Sequence, residues 1–204
     1  ITTLGSPAAL HPWDALQSTD GWQIRWHVAG AVTPVALTGG VIFTKDILWA
    51  VPILALRGAT IDEVGIRVAA GASIAFRIGL YKSTATPGNL YPDALVRDYG
   101  EITPGGIAGD YLLSGTNTLQ TGKIYWLVVN MDVNNSLLSN VPNSNCVPML
   151  GFLDGGFTSA PGVALRVASA YGVMPTPFPA GATVLKSDQA GVDPVPAIFF
   201  HTSG

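Results

Sequence analysis

Cysteine occurs once in 204 residues, at Cys146, so no internal disulfide can staple the chain and packing and hydrogen bonds must hold it. Its neighbours Asn145 and Val147 supply no base or cation that would activate the thiol, which leaves Cys146 an inert small residue. Charge is scarce too: Asp, Glu, Lys and Arg make up 11% of the chain, against roughly 25% in soluble globular domains. So little charge solvates a bare surface poorly. Burial against partner subunits, a thick core, or Ser, Thr, Asn and Gln standing in for charges outside would each give this composition, and oligomer formation is the preferred expectation. Long apolar runs are also missing. Nothing approaches the roughly 20 residues that span a bilayer, since the best stretch, from Ile47 to Leu56, is short and contains Pro52; no membrane span is expected.

Several kinds of chemistry lack their residues. The three histidines lie at positions 11, 27 and 201, without the short spacing of a strand- or helix-borne metal site. His201 is expected to be a polar residue near the terminus and His27 a hydrogen-bonded member of the N-terminal segment. Ten basic residues against 13 acidic ones give a net charge of -3, and the bases are scattered, Arg25 near His27 and Arg77 near Lys82 being the closest groupings. Phosphate neutralisation needs clustered cations, so nucleic acid is not an expected partner. No Gly-x-Ser-x-Gly elbow or dinucleotide fingerprint occurs, and Gly122-Lys123 is followed by Ile124, which has no hydroxyl for magnesium. No cofactor is expected.

Glycoside hydrolysis would need two facing carboxylates. The candidates are Asp62, Glu63, Asp93, Asp98, Glu101, Asp110, Asp132 and Asp154. Adjacent strand residues face opposite ways, so Asp62 and Glu63 cannot be that pair, and the others sit where solvated acids are ordinary. No catalytic residue is assigned. Asp132, Asn134 and Asn135 carry oxygens suited to calcium, but the remaining ligands of an EF-hand are missing. No metal site is assigned either.

What the chain does have is punctuation. Twenty-four Gly and 15 Pro cut short apolar segments at intervals that suit strands joined by turns. Strands are expected at 41–43, 47–54, 60–68, 74–81, 94–99, 109–113, 123–131, 149–152, 164–169 and 197–201. The stretch from Ile61 to Ala75 has a helix-like composition, but Gly65 and Gly71 interrupt it and Ile66, Val68 and Ala70 alternate in period two, which makes it strand. Phe76, Ile78 and Leu80 fall on one face with Arg77 opposite, so that face meets the core. Ile124 to Val129 is unbroken apolar sequence, as in a strand covered on both sides; one cover is the second sheet, and a neighbouring subunit is a candidate for the other. Segments 83–92 and 134–148 are expected to be loops, with a type II turn at Pro87-Gly88.

The fold class expected is all-β: an antiparallel β-sandwich, jelly-roll-like, over residues 41–204, preceded by an irregular arm at 1–40. The arm carries Trp13, Trp22 and Trp26. Each indole hides roughly 150–250 Å² when buried, so these rings must pack on the domain or on a partner, and they are the candidate attachment or oligomer residues. The chain opens on Ile1 without a basic-then-apolar leader, so numbering is expected to start after processing, at an expression boundary, or inside a longer polypeptide.

The order Ile61-Asp-Glu-Val-Gly-Ile-Arg-Val68, Phe76-Arg-Ile-Gly-Leu-Tyr81 and Thr86-Pro-Gly-Asn-Leu90 resembles a β-sandwich domain of bacteriophage head- and tail-fibre proteins. Leu119-Gln-Thr-Gly-Lys-Ile-Tyr-Trp-Leu-Val-Val129 and Ala170-Tyr-Gly-Val-Met-Pro-Thr-Pro-Phe-Pro-Ala-Gly-Ala182 continue the likeness, while the first forty residues match no part of the pattern. The resemblance implies a non-enzymatic virion protein, forming a homotrimer and contacting other virion proteins in a capsid decoration, head fibre or tail fibre. Phe178 between Pro177 and Pro179 is expected to be an extended plug. A carbohydrate-binding module for host surface glycans is the alternative, since aromatic faces stack on sugar rings while Asn and Asp bond hydroxyls; its candidate residues are Asn89 with Tyr91 and Asp154 with Phe157.

Overall fold

The structure, a computed structural model, describes residues 25–29, 43–55, 58–68, 74–84, 90–134, 140–141, 150, 162–186 and 195–203. Its strands are β1 (Arg25–Val28), β2 (Ile47–Ala55), β3 (Ala59–Val68), β4 (Phe76–Ser83), β5 (Pro92–Ile102) and β6 (Gly109–Leu119), then β7 (Lys123–Met131), β8 (Asn140–Val141), β9 (Gly162–Ala168), β10 (Thr183–Lys186), β11 (Val195–Pro196) and β12 (Ile198–Ser203). The pairing is nested: β4 with β5, β3 with β6, β2 with β7 and β1 with β12, all antiparallel. This is one long hairpin, and it has rolled up so that successive pairs lie alternately in two sheets. The four-stranded sheet has the order β1-β12-β3-β6 and the six-stranded sheet β10-β9-β2-β7-β4-β5. That arrangement is a jelly roll, enlarged by the β9–β10 hairpin on the free side of β2 and a small β8–β11 ladder.

Period-two burial dictates the stack. Phe76, Ile78 and Leu80 of β4 and Tyr125, Leu127, Val129 and Met131 of β7 point between the sheets, where they meet Ile61, Val64, Ile66 and Val68 of β3 and Ile198 and Phe200 of β12. Phe43 packs edge-on against Trp49 in the same layer, with ring centroids 5.3 Å apart. The opposite faces of the same strands are buried as well. Leu48, Ala50, Tyr81, Trp126 and Val128 form a second apolar cluster on the outer face of the six-stranded sheet, closed by Leu165, Met174 and Phe178. The unbroken run in β7 is thus covered twice, and its second cover is the chain's own segment 169–182, which crosses the sheet between β9 and β10. No neighbouring subunit is needed there.

This strap is fixed by polar bonds at intervals. The Tyr81 hydroxyl donates to Pro175 O at 2.8 Å, the Phe178 amide donates to Asp93 O at 3.0 Å, and Asp98 accepts from the Met174 amide at 3.2 Å. Gly79 lies directly beneath it: a Cβ there would stand 3.0 Å from Met174 Cγ. The absent side chain at Gly79 thus leaves room for a side chain of the strap.

Two irregularities follow from residue chemistry. Pro52 sits in the middle of β2, opposite Trp126 of β7, but β9 pairs β2 only from Ile47 to Ala50, so the proline falls where one side of β2 has no ladder to lose a donor from. At the β6–β7 crossing, Lys123 N donates to Gln120 O at 3.2 Å while Gly122 has φ of 75°, a type II turn whose third position favours glycine.

Five expected strands fall within observed ones, 123–131 matching β7 residue for residue, and 74–81, 164–169 and 197–201 overlap β4, β9 and β12 with ends shifted by one or two residues. The expected 41–43 strand is represented by a bridge at Phe43, and Leu150 of the expected 149–152 strand lies in a turn. Part of the expected arm is sheet: Arg25–Val28 forms β1, its Trp26 opposite His201, while Trp13 and Trp22 lie outside the described residues. The 134–148 loop includes the two residues of β8. The Pro87-Gly88 turn and Cys146 lie outside the described residues. No helix among them is long and apolar enough to cross a membrane.

Candidate functional site

Asp93 is exposed and Asp154 lies outside the described residues; the other carboxylates named as catalytic candidates have local work. Asp62 meets Nδ1 of His201, and Glu63 accepts from Ser114 Oγ at 3.4 Å. Asp98 accepts from Arg77 Nε on both oxygens, at 2.8 and 3.0 Å, and from the Gly100 amide at 2.9 Å. Glu101 accepts from the Tyr171 hydroxyl at 2.8 Å, and Asp110 holds Arg67 by two bonds of 2.6 and 2.8 Å. Asp132 Oδ1 caps the Ala75 amide and Asn134 Oδ1 the Lys45 amide, each at 2.9 Å, so two of the three side chains considered for calcium bond to backbone, and Asn135 lies outside the described residues. Among the described residues no three of His, Cys, Asp and Glu converge. His201, expected as a terminal polar residue, is instead a buried member of β12.

Of the glycan candidates, Tyr91 alone is described. Its hydroxyl donates to Pro179 O at 2.6 Å and accepts from the Ala182 amide at 3.0 Å, and its ring stands edge-on to Phe178 at 5.7 Å. It therefore anchors the strap. Asn89, Asp154 and Phe157 lie outside the described residues. The large apolar side chains most exposed among the described residues are all aliphatic: Leu90, Ile107, Leu112, Val133 and Val173. None offers a ring for stacking.

An apolar concavity lies against the four-stranded sheet. On β6 burial alternates without a break from Gly109 to Thr118, which turns Asp110, Leu112, Ser114, Thr116 and Thr118 outward. Leu112 stands opposite Gly65 of β3, which stands in turn opposite Phe199 of β12. The missing side chain at Gly65 makes the hollow: a Cβ there would lie 2.5 Å from Leu112 Cδ2 and 2.6 Å from Tyr111 O. A groove of about 260 Å³ results, with Leu112 and Phe199 as apolar lining and the Arg67–Asp110 pair as rim. Both members of that pair are about half exposed, so the pair adds little to stability and mainly fixes the orientation of the rim. Leu112 keeps 47% of its surface in solvent.

The edges of the two sheets meet where β5 approaches β6. Arg97 lies over the Tyr99 ring, 5.5 Å from its centroid, and donates to Thr116 O at 3.4 Å. The Asn117 amide donates to the Tyr99 hydroxyl at 3.0 Å. Burial pushes the Tyr99 phenol up to about 12; the Asn117 bond and Arg97 pull the other way, and Asp62 adds to the rise. Tyr81 is raised as well, by burial first and Asp98 second. Both folded-state values lie above the roughly 10 of an unfolded chain, so stability is fully present below about pH 10 and is lost as pH rises through the folded values. Urea unfolding midpoints should hold steady from pH 7 to 9 and fall between about pH 10 and 12. Tyr99→Phe should flatten that fall; an unchanged alkaline slope in the variant would show that Tyr99 does not carry it.

No protein-family model matches this chain, and no curated protein matches it.

Proposed function

We propose that the chain is a non-enzymatic structural domain of a bacteriophage particle, acting as a homotrimer that contacts other virion proteins. The observation that carries this reading is the unequal cover of the two sheets. Segment 169–182 of the chain itself buries the outer face of the six-stranded sheet, whereas the four-stranded sheet presents the Leu112–Phe199 groove to solvent. The low charge content and the resemblance of the ordered motifs to phage fibre domains support the same reading. A jelly roll by itself carries no function; its use here is mechanical. The paired strands β12, β3 and β6 hold the groove in place, which lowers the ordering cost of a partner on this side.

Analytical ultracentrifugation at micromolar concentration tests this directly. The wild-type chain should sediment as a trimer, and Leu112→Arg, an exposed position that the fold tolerates, should sediment as a monomer with an unchanged far-UV spectrum. A wild-type monomer would overturn self-assembly, and a trimer that persists in Leu112→Arg would remove this face from the interface.

A further inference from the structure

A second concavity lies at one end of the sandwich, where β4 leaves the six-stranded sheet and the β6–β7 turn enters it. It measures about 360 Å³ and is lined by Lys82, Ser83, Gln120 and Lys123, with Leu90 and Tyr125 among its apolar walls. Register brings the two lysines together. Lys82 stands opposite Tyr125 in the β4–β7 ladder, and Lys123 lies two residues before Tyr125 on the same face, so Lys82 and Lys123 are diagonal neighbours about 7–8 Å apart at their stems.

Like charges so placed repel unless an anion lies between them, and no acid is among the described residues that line the cleft. Five other described cations are differently placed. Arg67, Arg77 and Lys45 have carboxylate partners and Arg97 and Arg166 sit over aromatic rings. Lys82 and Lys123 have no carboxylate partner among the described residues. The turn beneath them is fixed, because the Gln120 amide donates to the Tyr125 hydroxyl oxygen at 3.1 Å and Gly122 N donates to Ala55 O at 2.6 Å.

The lining divides into two ammonium groups, a hydroxyl and side-chain amide suited to neutral oxygens, and an apolar wall. A bare inorganic anion would use the first alone. A sugar ring bearing a carboxylate would use all three, with its acid between the lysines, its hydroxyls on Ser83 and Gln120, and its C–H face on Leu90. The volume matches small-ligand sites of about 300–1,000 Å³. We propose that this cleft binds the carboxylated ring of an acidic saccharide. The site is independent of the self-assembly reading, for a monomer would carry it equally.

The probe is a trimer of galacturonic acid titrated into the full-length, isotope-labelled protein, with neutral galactotriose and inorganic phosphate as parallel arms. Amide shifts should cluster at 82–84 and 120–125 with the acidic trimer alone, and affinity should fall as salt rises. Lys82→Gln with Lys123→Gln should weaken binding at least tenfold while leaving the rest of the spectrum in place. Three outcomes would overturn the proposal: equal shifts from galactotriose, complete displacement of the trimer by phosphate at equal concentration, or undiminished binding by the double variant.

Discussion

Replacing Phe178 with alanine should cost about 3–5 kcal/mol of folding stability, the range for removing a large ring from a packed site. The ring is 4% exposed and stands edge-on to Tyr81 at 5.4 Å and to Tyr91 at 5.7 Å. Flanking prolines fix the φ of positions 177 and 179, so the backbone cannot easily collapse to fill the void. In a chain of this size the loss corresponds to a fall in Tm of roughly 10 °C or more. The same variant should become sensitive to limited proteolysis within 169–182 before it unfolds globally, because the ring is what seats the strap on Tyr81 and Trp126. A change below about 1 kcal/mol by urea titration would mean that the strap is held by its polar anchors alone.

Asp98→Ala should be almost as damaging, by about 3 kcal/mol, and for a different reason. Two strands and the strap share this carboxylate: Arg77 of β4, the Gly100 amide of β5 and the Met174 amide all donate to it. Alanine leaves a largely buried guanidinium and two amides without their acceptor. Asp98→Asn keeps one acceptor oxygen and should fall between wild type and alanine. Phe178 and Asp98 anchor the same segment, so the double variant Asp98→Ala with Phe178→Ala should be less destabilised than the sum of the two, with a coupling of about 0.5–3 kcal/mol. Additivity would show that the two anchors act on separate units.

Much of this organisation was legible in the residues, and what was hidden has definite physical causes. The inward face of β4 and the double burial of β7 follow from period two, which a strand of eight or nine residues displays fully. The cover over β7 could not be read, because 169–182 is irregular and has no period; only the Pro-Phe-Pro plug marked it. β1 and β10 have four residues each, and β8 and β11 two, too few to show alternation. The groove and the end cleft depend on cross-strand register. Gly65 becomes a hollow only opposite Leu112, and Lys82 approaches Lys123 only through Tyr125. Bulges reset that register in β3, β5 and β12, and one-residue slips leave no clear trace in composition.

The meeting of β5 and β6 bears on how such a domain stays discrete when many copies are crowded together. A flat, bare strand invites a foreign strand to pair with it, and fibrils grow that way. Here β1 and β10 are too short to template much, and β5 starts at Pro92 and shifts register against β4 three times. β6 is the long exception, and Arg97 reaches across from β5 to occupy the carbonyl of Thr116. A guanidinium thus takes up one of the acceptors that a foreign strand would need along this edge.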